Sequence, residues 1–306
     1  MTTHVILGSN GVVGRETMAA LRAGGHVVQA VSRTPSPDPE GPHVAADLRD
    51  AASAARALRG ADVAYLTVGL PYSTRVWRRD WPAVLRNVID GCLANGTHLV
   101  YFDNVYAYGR TDAPMTEATP IRPSSRKGEV RAELLRMLDS ARDEHGLVVT
   151  VGRSADFYGP GASTSAFNMF AIDRVIAGRP PIWLFDASQP HSMTYTRDVG
   201  AALSVLGTDD RARGRVWHMP TASALTGDQY LALATGDRLP HRTMSTATMR
   251  FGSLFSSAAR ETLEMAYQYT APYEFDSTAF ERTFGVAPTP YADGIAASLA
   301  RVTASA

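Results

Sequence analysis

Cysteine is almost missing from this chain, which has only Cys92 in 306 residues. A single thiol cannot close an internal disulfide, and such sparse usage suits a reducing cytoplasm. Cys92 sits in the apolar run Val88-Ile89-Asp90-Gly91-Cys92-Leu93 and reads as a small buried side chain on a helix. Excess charge is missing as well, with 30 Lys and Arg balanced by 30 Asp and Glu. Without a basic surplus there is no counterion release to drive nucleic-acid binding, which excludes that partner class. No apolar stretch reaches the roughly 20 residues needed to span a bilayer, and no signal-peptide pattern precedes the first strand. His, Cys and Asp show no metal-ligand spacing, so no metal is expected. There is no Gly-x-Ser-x-Gly nucleophile elbow and no internal repeat. The expectation is a cytoplasmic protein, monomer or homodimer, whose partner is a small molecule and neither nucleic acid nor membrane.

At 45% hydrophobic, the chain can build one large α/β domain and a smaller appendage. Apolar or β-branched runs occur at 4–7, 26–31, 43–46, 62–68, 97–102 and 147–152. Segments with helical periodicity lie between most of them, near 14–23, 51–58, 81–94 and 128–142. Such alternation predicts right-handed βαβ units, a doubly wound parallel sheet and thus a Rossmann-type α/β fold. Residues 34–42, Thr-Pro-Ser-Pro-Asp-Pro-Glu-Gly-Pro, read as a proline-fixed surface loop.

Beyond residue 155 the alternation loosens. A Gly/Ser-rich stretch at 157–165 leads to a helix near 166–177, a strand-like piece at 181–185, a helix near 197–206 and a strand at 215–218. The expected organisation is a dinucleotide-binding domain over 1–155, with 190–220 returning to it. Residues 156–189 and 221–306 then form a smaller, mostly helical substrate domain over the carboxyl ends of the strands, where open α/β sheets bind ligands.

Residues 4–14 carry the most specific signal. An apolar run ends in Gly8-x-x-Gly11-x-x-Gly14 and leads directly into a helical pattern. A buried strand, a glycine turn and a helix N-terminus make a pyrophosphate site, because backbone N–H groups approach the phosphates and the helix end adds partial positive charge. Gly8, Ser9, Asn10, Gly11, Val12, Val13 and Gly14 are the expected phosphate-side residues.

An ordered series over residues 4 to about 220 resembles the extended short-chain dehydrogenase/reductases. Its parts are the three glycines, Asp47-Leu48 after the third strand, Thr67-Val68-Gly69 after the fourth, and Tyr106-Ala107-Tyr108-Gly109 after the fifth. Arg153-Ser154-Ala155-Asp156-Phe157-Tyr158-Gly159-Pro160-Gly161 follows the sixth, and His191 to Val199 completes the series. The resemblance implies that Asp47 and Leu48 meet the adenine and that Val68, Gly69, Lys127 and Ala155 complete the cofactor set. At the end of the second strand an NAD enzyme usually places an acid for the ribose hydroxyls. Ser32 and Arg33 stand there instead, and a guanidinium suits a 2′-phosphate, so NADP(H) is the expected cofactor.

The family's catalytic set is altered. Its serine position falls on Asn104, and no tyrosine occupies the Tyr-x-x-x-Lys motif. If Lys127 is the motif lysine, the tyrosine position is Pro123; if the helix aligns two residues later, the positions are Ser125 and Glu129. Hydride transfer would then use Asn104 to bond the carbonyl and Lys127 to hold the ribose. The proton would come from water, Tyr106, a serine or the substrate itself. A non-catalytic dinucleotide sensor and an epimerase or dehydratase with relocated acids stay open. Sugar-nucleotide enzymes of this group use an Asn and an Arg to hold the diphosphate, where this chain has Asp156 and His191; a carboxylate there would repel a diphosphate. Phe157, Tyr158, Phe167, Met169, Trp183, Met193 and Tyr195 suggest an apolar wall around the substrate, with Asp156 and His191 as polar contacts. Related atypical members reduce ketones on aromatic polyketides. The expected function is therefore NADPH-dependent reduction of a ketone on an apolar, polyketide-like molecule.

Overall fold

Seven parallel strands form the main sheet of the computed structural model, which describes residues 2–35, 41–236 and 240–300. They are β1 (Thr3–Leu7), β2 (Val27–Ser32), β3 (His43–Ala45), β4 (Val63–Leu66), β5 (His98–Asn104), β6 (Val149–Ser154) and β11 (Val216–His218). Their spatial order is β11-β6-β5-β4-β1-β2-β3. The chain runs outward from β1 through β2 and β3, then crosses back to β4, with His4 opposite Val63. That reversal opens a crevice at the carboxyl ends of β1 and β4, where doubly wound sheets bind ligands.

Alternating side chains serve the two faces of the sheet. Val5 and Leu7 point into one core, shared with α2 (Ala51–Ala57), α3 (Thr74–Asn95) and α4 (Arg126–His145). Ile6 points into the other, shared with α1 (Val12–Ala23), α6 (Thr196–Thr208) and α10 (Thr278–Phe284). Coverage on both faces explains why all of β4 and β6 is buried. Phe280 of α10 is fully buried in that second core, so the chain beyond 221 contributes to the main sheet as well as to the smaller layer.

The smaller layer is built from paired short strands and helices. β7 (Asp156–Tyr158) pairs with β10 (Met193–Tyr195), β8 (Ile182–Leu184) with β13 (Arg242–Met244), and β9 (Pro190–His191) with β12 (Leu225–Thr226). Around them lie α5 (Asp173–Ile176), α7 (Gly227–Thr235), α8 (Thr246–Ser253), α9 (Ser257–Leu263) and α11 (Tyr291–Ala300).

Two elements depart from the sequence expectation. α3 starts at Thr74, not near 81, and runs through Pro82. The helix near 166–177 contains a π-helical turn at Asn168–Ile172 before α5. Residues 36–40, the middle of the expected proline-fixed loop, lie outside the described residues.

Candidate functional site

At the end of β1 the chain turns sharply. Gly8 has φ +106°, and a methyl added there would stand 2.7 Å from the Val68 nitrogen. The N–H groups of Gly8 and Ser9 both donate to the Val31 carbonyl, at 2.9 and 3.1 Å. Gly11 caps α1 with no side chain to satisfy the first turn, so the N–H groups of Val12 and Val13 lack intrahelical acceptors. The Ser9 hydroxyl and the side-chain amide oxygen Oδ1 of Asn10 are buried without partners. Unclaimed donors and a helix N-terminus fit a pyrophosphate, and Gly69 has open space around it for a ligand.

The Asn10 amide donates to the Thr34 carbonyl at 3.2 Å and so braces the segment after β2. Ser32 bonds His43 Nε2 at 2.8 Å, and Arg33 beside it is exposed. The Asp47 carboxylate is gripped by Arg49, which lowers it to about 2. Leu48 is a core side chain, Val68 is half-buried and Ala155 is buried beneath Tyr267 and Tyr273.

Lys127 plays a different part from the one expected. Its side chain is fully buried at the start of α4, and its ammonium is tied to the carboxylates of Glu261 and Glu264, the latter at 3.2 Å. The Glu261 carbonyl accepts a further bond at 3.3 Å. All three ammonium hydrogens are thereby used, leaving none for a ribose. The Tyr72 ring lies 4.5 Å from the same nitrogen. Thr74 donates through its backbone N–H and its hydroxyl to Glu261, so α9 is fastened across the starts of both α3 and α4. Ser125 caps α4 by accepting from the Gly128 N–H at 3.0 Å, and Glu129 is exposed and paired with Arg78 at 2.8 Å.

Beyond β6, Asp156 meets His191 at 3.2 Å between Oδ2 and Nε2. The Tyr269 hydroxyl donates to the same carboxylate oxygen at 2.9 Å. His191 is buried and stacks on Tyr269, with ring centroids 4.4 Å apart. The Tyr106 and Tyr72 phenols lie beside each other and within electrostatic reach of Asp156. Burial, followed by nearby Asp156, holds the Tyr269 phenol far above its ordinary range, so it stays a donor. Asn104, at the end of β5, accepts from the Tyr106 N–H at 3.1 Å through Oδ1.

A buried charge network lies under this group. Asp103 pairs with Arg153 at 3.0 Å and Arg131 at 3.7 Å. Arg153 lies 4.5 Å over the Tyr108 ring. The Tyr108 hydroxyl bonds His218 Nε2 at 2.7 Å, and His218 Nδ1 bonds the Asp276 carbonyl at 2.8 Å. Burial, then Arg153, pushes His218 down to about 3. The ring is therefore neutral: Nδ1–H donates to the carbonyl and Nε2 accepts from Tyr108.

The structure brings Asn104, Tyr106, Asp156 and His191 together at one end of the sheet. It does not gather the expected apolar wall around a cleft. Tyr158, Phe167, Trp183, Met193 and Tyr195 pack on one another in a closed core, whereas Met169 is exposed and Phe157 half-buried. Size and apolarity suit a core as well as a pocket, which is why the sequence reading failed here. Tyr72, Glu261, Glu264, Tyr267, Tyr269 and Tyr273 were missed. Only the density of tyrosines at 267–273 signals them in the sequence. Among the described residues, no three His, Cys, Asp or Glu side chains stand together as metal ligands, and no helix is long and apolar enough to cross a membrane.

Comparison with known proteins agrees with this fold. Pal from Bacillus thuringiensis superposes with a TM-score of 0.82 at 15% identity over 100% of both chains. UDP-N-acetylglucosamine 4-epimerase from Bacillus cereus gives 0.79 at 13% identity, covering 100% of this chain and 98% of the other. UDP-glucose 4-epimerase from Thermus thermophilus, solved with NAD, gives 0.77 at 17% identity over 100% of both. At such identities the likeness shows the fold alone. Among curated proteins, none matches the sequence. Residues 4–218 match the model of the NAD dependent epimerase/dehydratase family, and the chain belongs to that family.

Proposed function

We propose that this protein is an NADP-dependent reductase of a ketone on an apolar, aromatic, polyketide-like small molecule. The observation that carries the reading is the Asp156–His191–Tyr269 group at the carboxyl end of β6, on the sheet that presents the Gly8–Gly14 turn. The turn and the first turn of α1 would hold the pyrophosphate, and exposed Arg33 would meet a 2′-phosphate. Reduced nicotinamide, when bound, supplies the hydride. Asn104 orients the carbonyl through its amide N–H, since its Oδ1 is committed to Tyr106. A diphosphate finds little support here. The Asp156 carboxylate already faces His191 and Tyr269, and the Lys127 ammonium is already claimed by two carboxylates.

Family membership favours a second reading, a nucleotide-sugar epimerase or dehydratase. A non-catalytic NADP sensor is the third. Purified protein incubated with NADPH and a panel of quinones, aromatic ketones and nucleotide sugars separates them. NADPH oxidation with quinones or ketones supports the reductase. Sugar-nucleotide conversion without net NADPH consumption replaces it with the epimerase, and tight NADPH binding with no turnover replaces it with the sensor.

A further inference from the structure

We propose that Asp156 is the proton donor of this site, with His191 and Tyr269 as the positioning residues that keep it supplied, in place of the missing motif tyrosine. The inference rests on the reductase reading and adds the source of the proton.

Proton counting carries the argument. His191 Nδ1 lies 3.0 Å from the Gln268 carbonyl oxygen, which has no hydrogen to give, so Nδ1 bears one. Nε2 faces Asp156 Oδ2 at 3.2 Å, and that contact also needs a hydrogen. The pair is either imidazolium with carboxylate or imidazole with carboxylic acid. In both forms it holds one proton more than a neutral ring beside a bare carboxylate. The Tyr269 hydroxyl bonds the same oxygen and steadies the carboxylate left when the proton departs.

Geometry sets the direction of delivery. The His191 side chain is 1% exposed, whereas that of Asp156 is 21% exposed, so the carboxyl group is the outlet of the pair. Three distant stretches build it: the start of β7, β9, and the segment after α9. The other ionisable groups facing Asp156 are the phenols of Tyr72, Tyr106, Tyr267 and Tyr273. Burial is the largest influence on each and raises all four, so they stay neutral while Asp156 changes state. The full charges around this cluster are Lys127, whose ammonium lies over the Tyr72 ring and is paired with two glutamates, and the buried Asp103–Arg153 pair beneath it.

In the step itself, hydride from the reduced nicotinamide dinucleotide adds to the carbonyl carbon. The C=O π pair moves to oxygen, which takes the Asp156 proton and becomes the hydroxyl. The O–H electron pair stays on the carboxylate, which the Tyr269 hydroxyl still bonds while His191 is left neutral with its hydrogen on Nδ1, and water restores the lost proton to the pair after release.

The test has two arms. In the first, ¹⁵N-histidine NMR of the intact, ligand-free protein is expected to show both His191 nitrogens engaged with protons at neutral pH, with Nε2 shifting in Asp156→Asn. A neutral ring whose Nε2 neither carries a proton nor accepts one from Asp156, with a shift unchanged in Asp156→Asn, overturns the proposal. In the second, NADPH oxidation with the reactive ketone is followed against pH. Wild type should lose turnover on the alkaline side. Asp156→Asn should fall about 10²-fold or more without that limb, at unchanged thermal stability and NADPH affinity, and Asp156→Glu should recover part of it. Turnover of Asp156→Asn within threefold of wild type overturns the assignment. If no ketone reacts, the reductase reading fails, and the NMR arm alone decides whether the pair holds a proton.

Discussion

Lys127 and Glu264, 137 positions apart, are bonded at 3.2 Å where the start of α4 meets the end of α9. With Glu261 they fasten the C-terminal helices over the carboxyl end of the sheet. Replacing a buried cation while leaving its two carboxylates is costly, because they then repel each other out of bulk water. Lys127→Met is expected to lower the unfolding free energy by about 3 kcal/mol in urea titration. Glu261→Gln should cost less, since Glu264 still pairs. Unchanged stability in Lys127→Met would return the lysine to a ligand-binding role.

The glycines of the phosphate turn should separate fold from binding. A methyl at Gly14 overlaps the Gly8 carbonyl, so Gly14→Ala disturbs the backbone itself. A methyl at Gly11 meets that carbonyl at 3.3 Å and the Thr67 carbonyl at 3.9 Å, and otherwise enters open space on the ligand side. Gly11→Ala is therefore expected to keep its melting temperature and to lose roughly tenfold or more in dinucleotide affinity by fluorescence titration. Equal losses of stability in the two variants would mean that Gly11 serves packing alone.

Much of the sheet was legible because the local signals agreed with the tertiary outcome. Apolar runs, the glycine turn and alanine-rich helices placed β1, β2, β4, β5 and β6 to within a few residues. The start of α3 was hidden by Pro82, whose fixed φ favours a first helical turn. Here the helix runs through it, with Trp77 and Trp81 buried upstream. The site was only half legible. Asn104 and Asp156 follow strands in a recognisable frame. Tyr72, Glu261 and Tyr269 come from segments whose spacing carries no motif, and only folding brings them to Lys127 and Asp156.

Stability should also fall in mild acid. Burial lowers His4 and His98 from 6.5 to about 4, and His218 to about 3. The unfolded chain then takes up protons first, so stability is full above pH 6.5 and declines as pH falls toward 4. Lowered Asp47 acts in a separate window, between its ordinary 3.8 and about 2. The melting temperature should drop between pH 6.5 and 4.5, and less so in His4→Gln/His98→Gln. A flat wild-type profile would contradict the buried, neutral histidines.

Arg33 tests the cofactor assignment. It stands exposed just after β2, whose last residue is Ser32 and not an acid. Removing a guanidinium from a phosphate loses a charge-assisted bond worth about 1.5–3 kcal/mol, which is roughly tenfold to a hundredfold in affinity. Arg33→Ala should weaken NADPH by that factor and leave NADH nearly unchanged in parallel titrations. Equal weakening of both would reject NADP selectivity.

Asn104 has two functional ends. Its Oδ1 accepts the Tyr106 N–H at 3.1 Å and caps the short turn at Val105–Ala107, while the amide N–H₂ is the end available to a carbonyl. Asn104→Asp keeps the acceptor and removes the donor, whereas Asn104→Ala removes both. If the amide stabilises negative charge developing on the carbonyl oxygen, both variants should lose about 10²-fold in kcat with little change in NADPH affinity. Only the alanine variant should also lose stability, by about 1 kcal/mol for the missing cap. An aspartate variant that turns over at the wild-type rate would leave Asn104 with the cap and nothing more, and the carbonyl would need another donor.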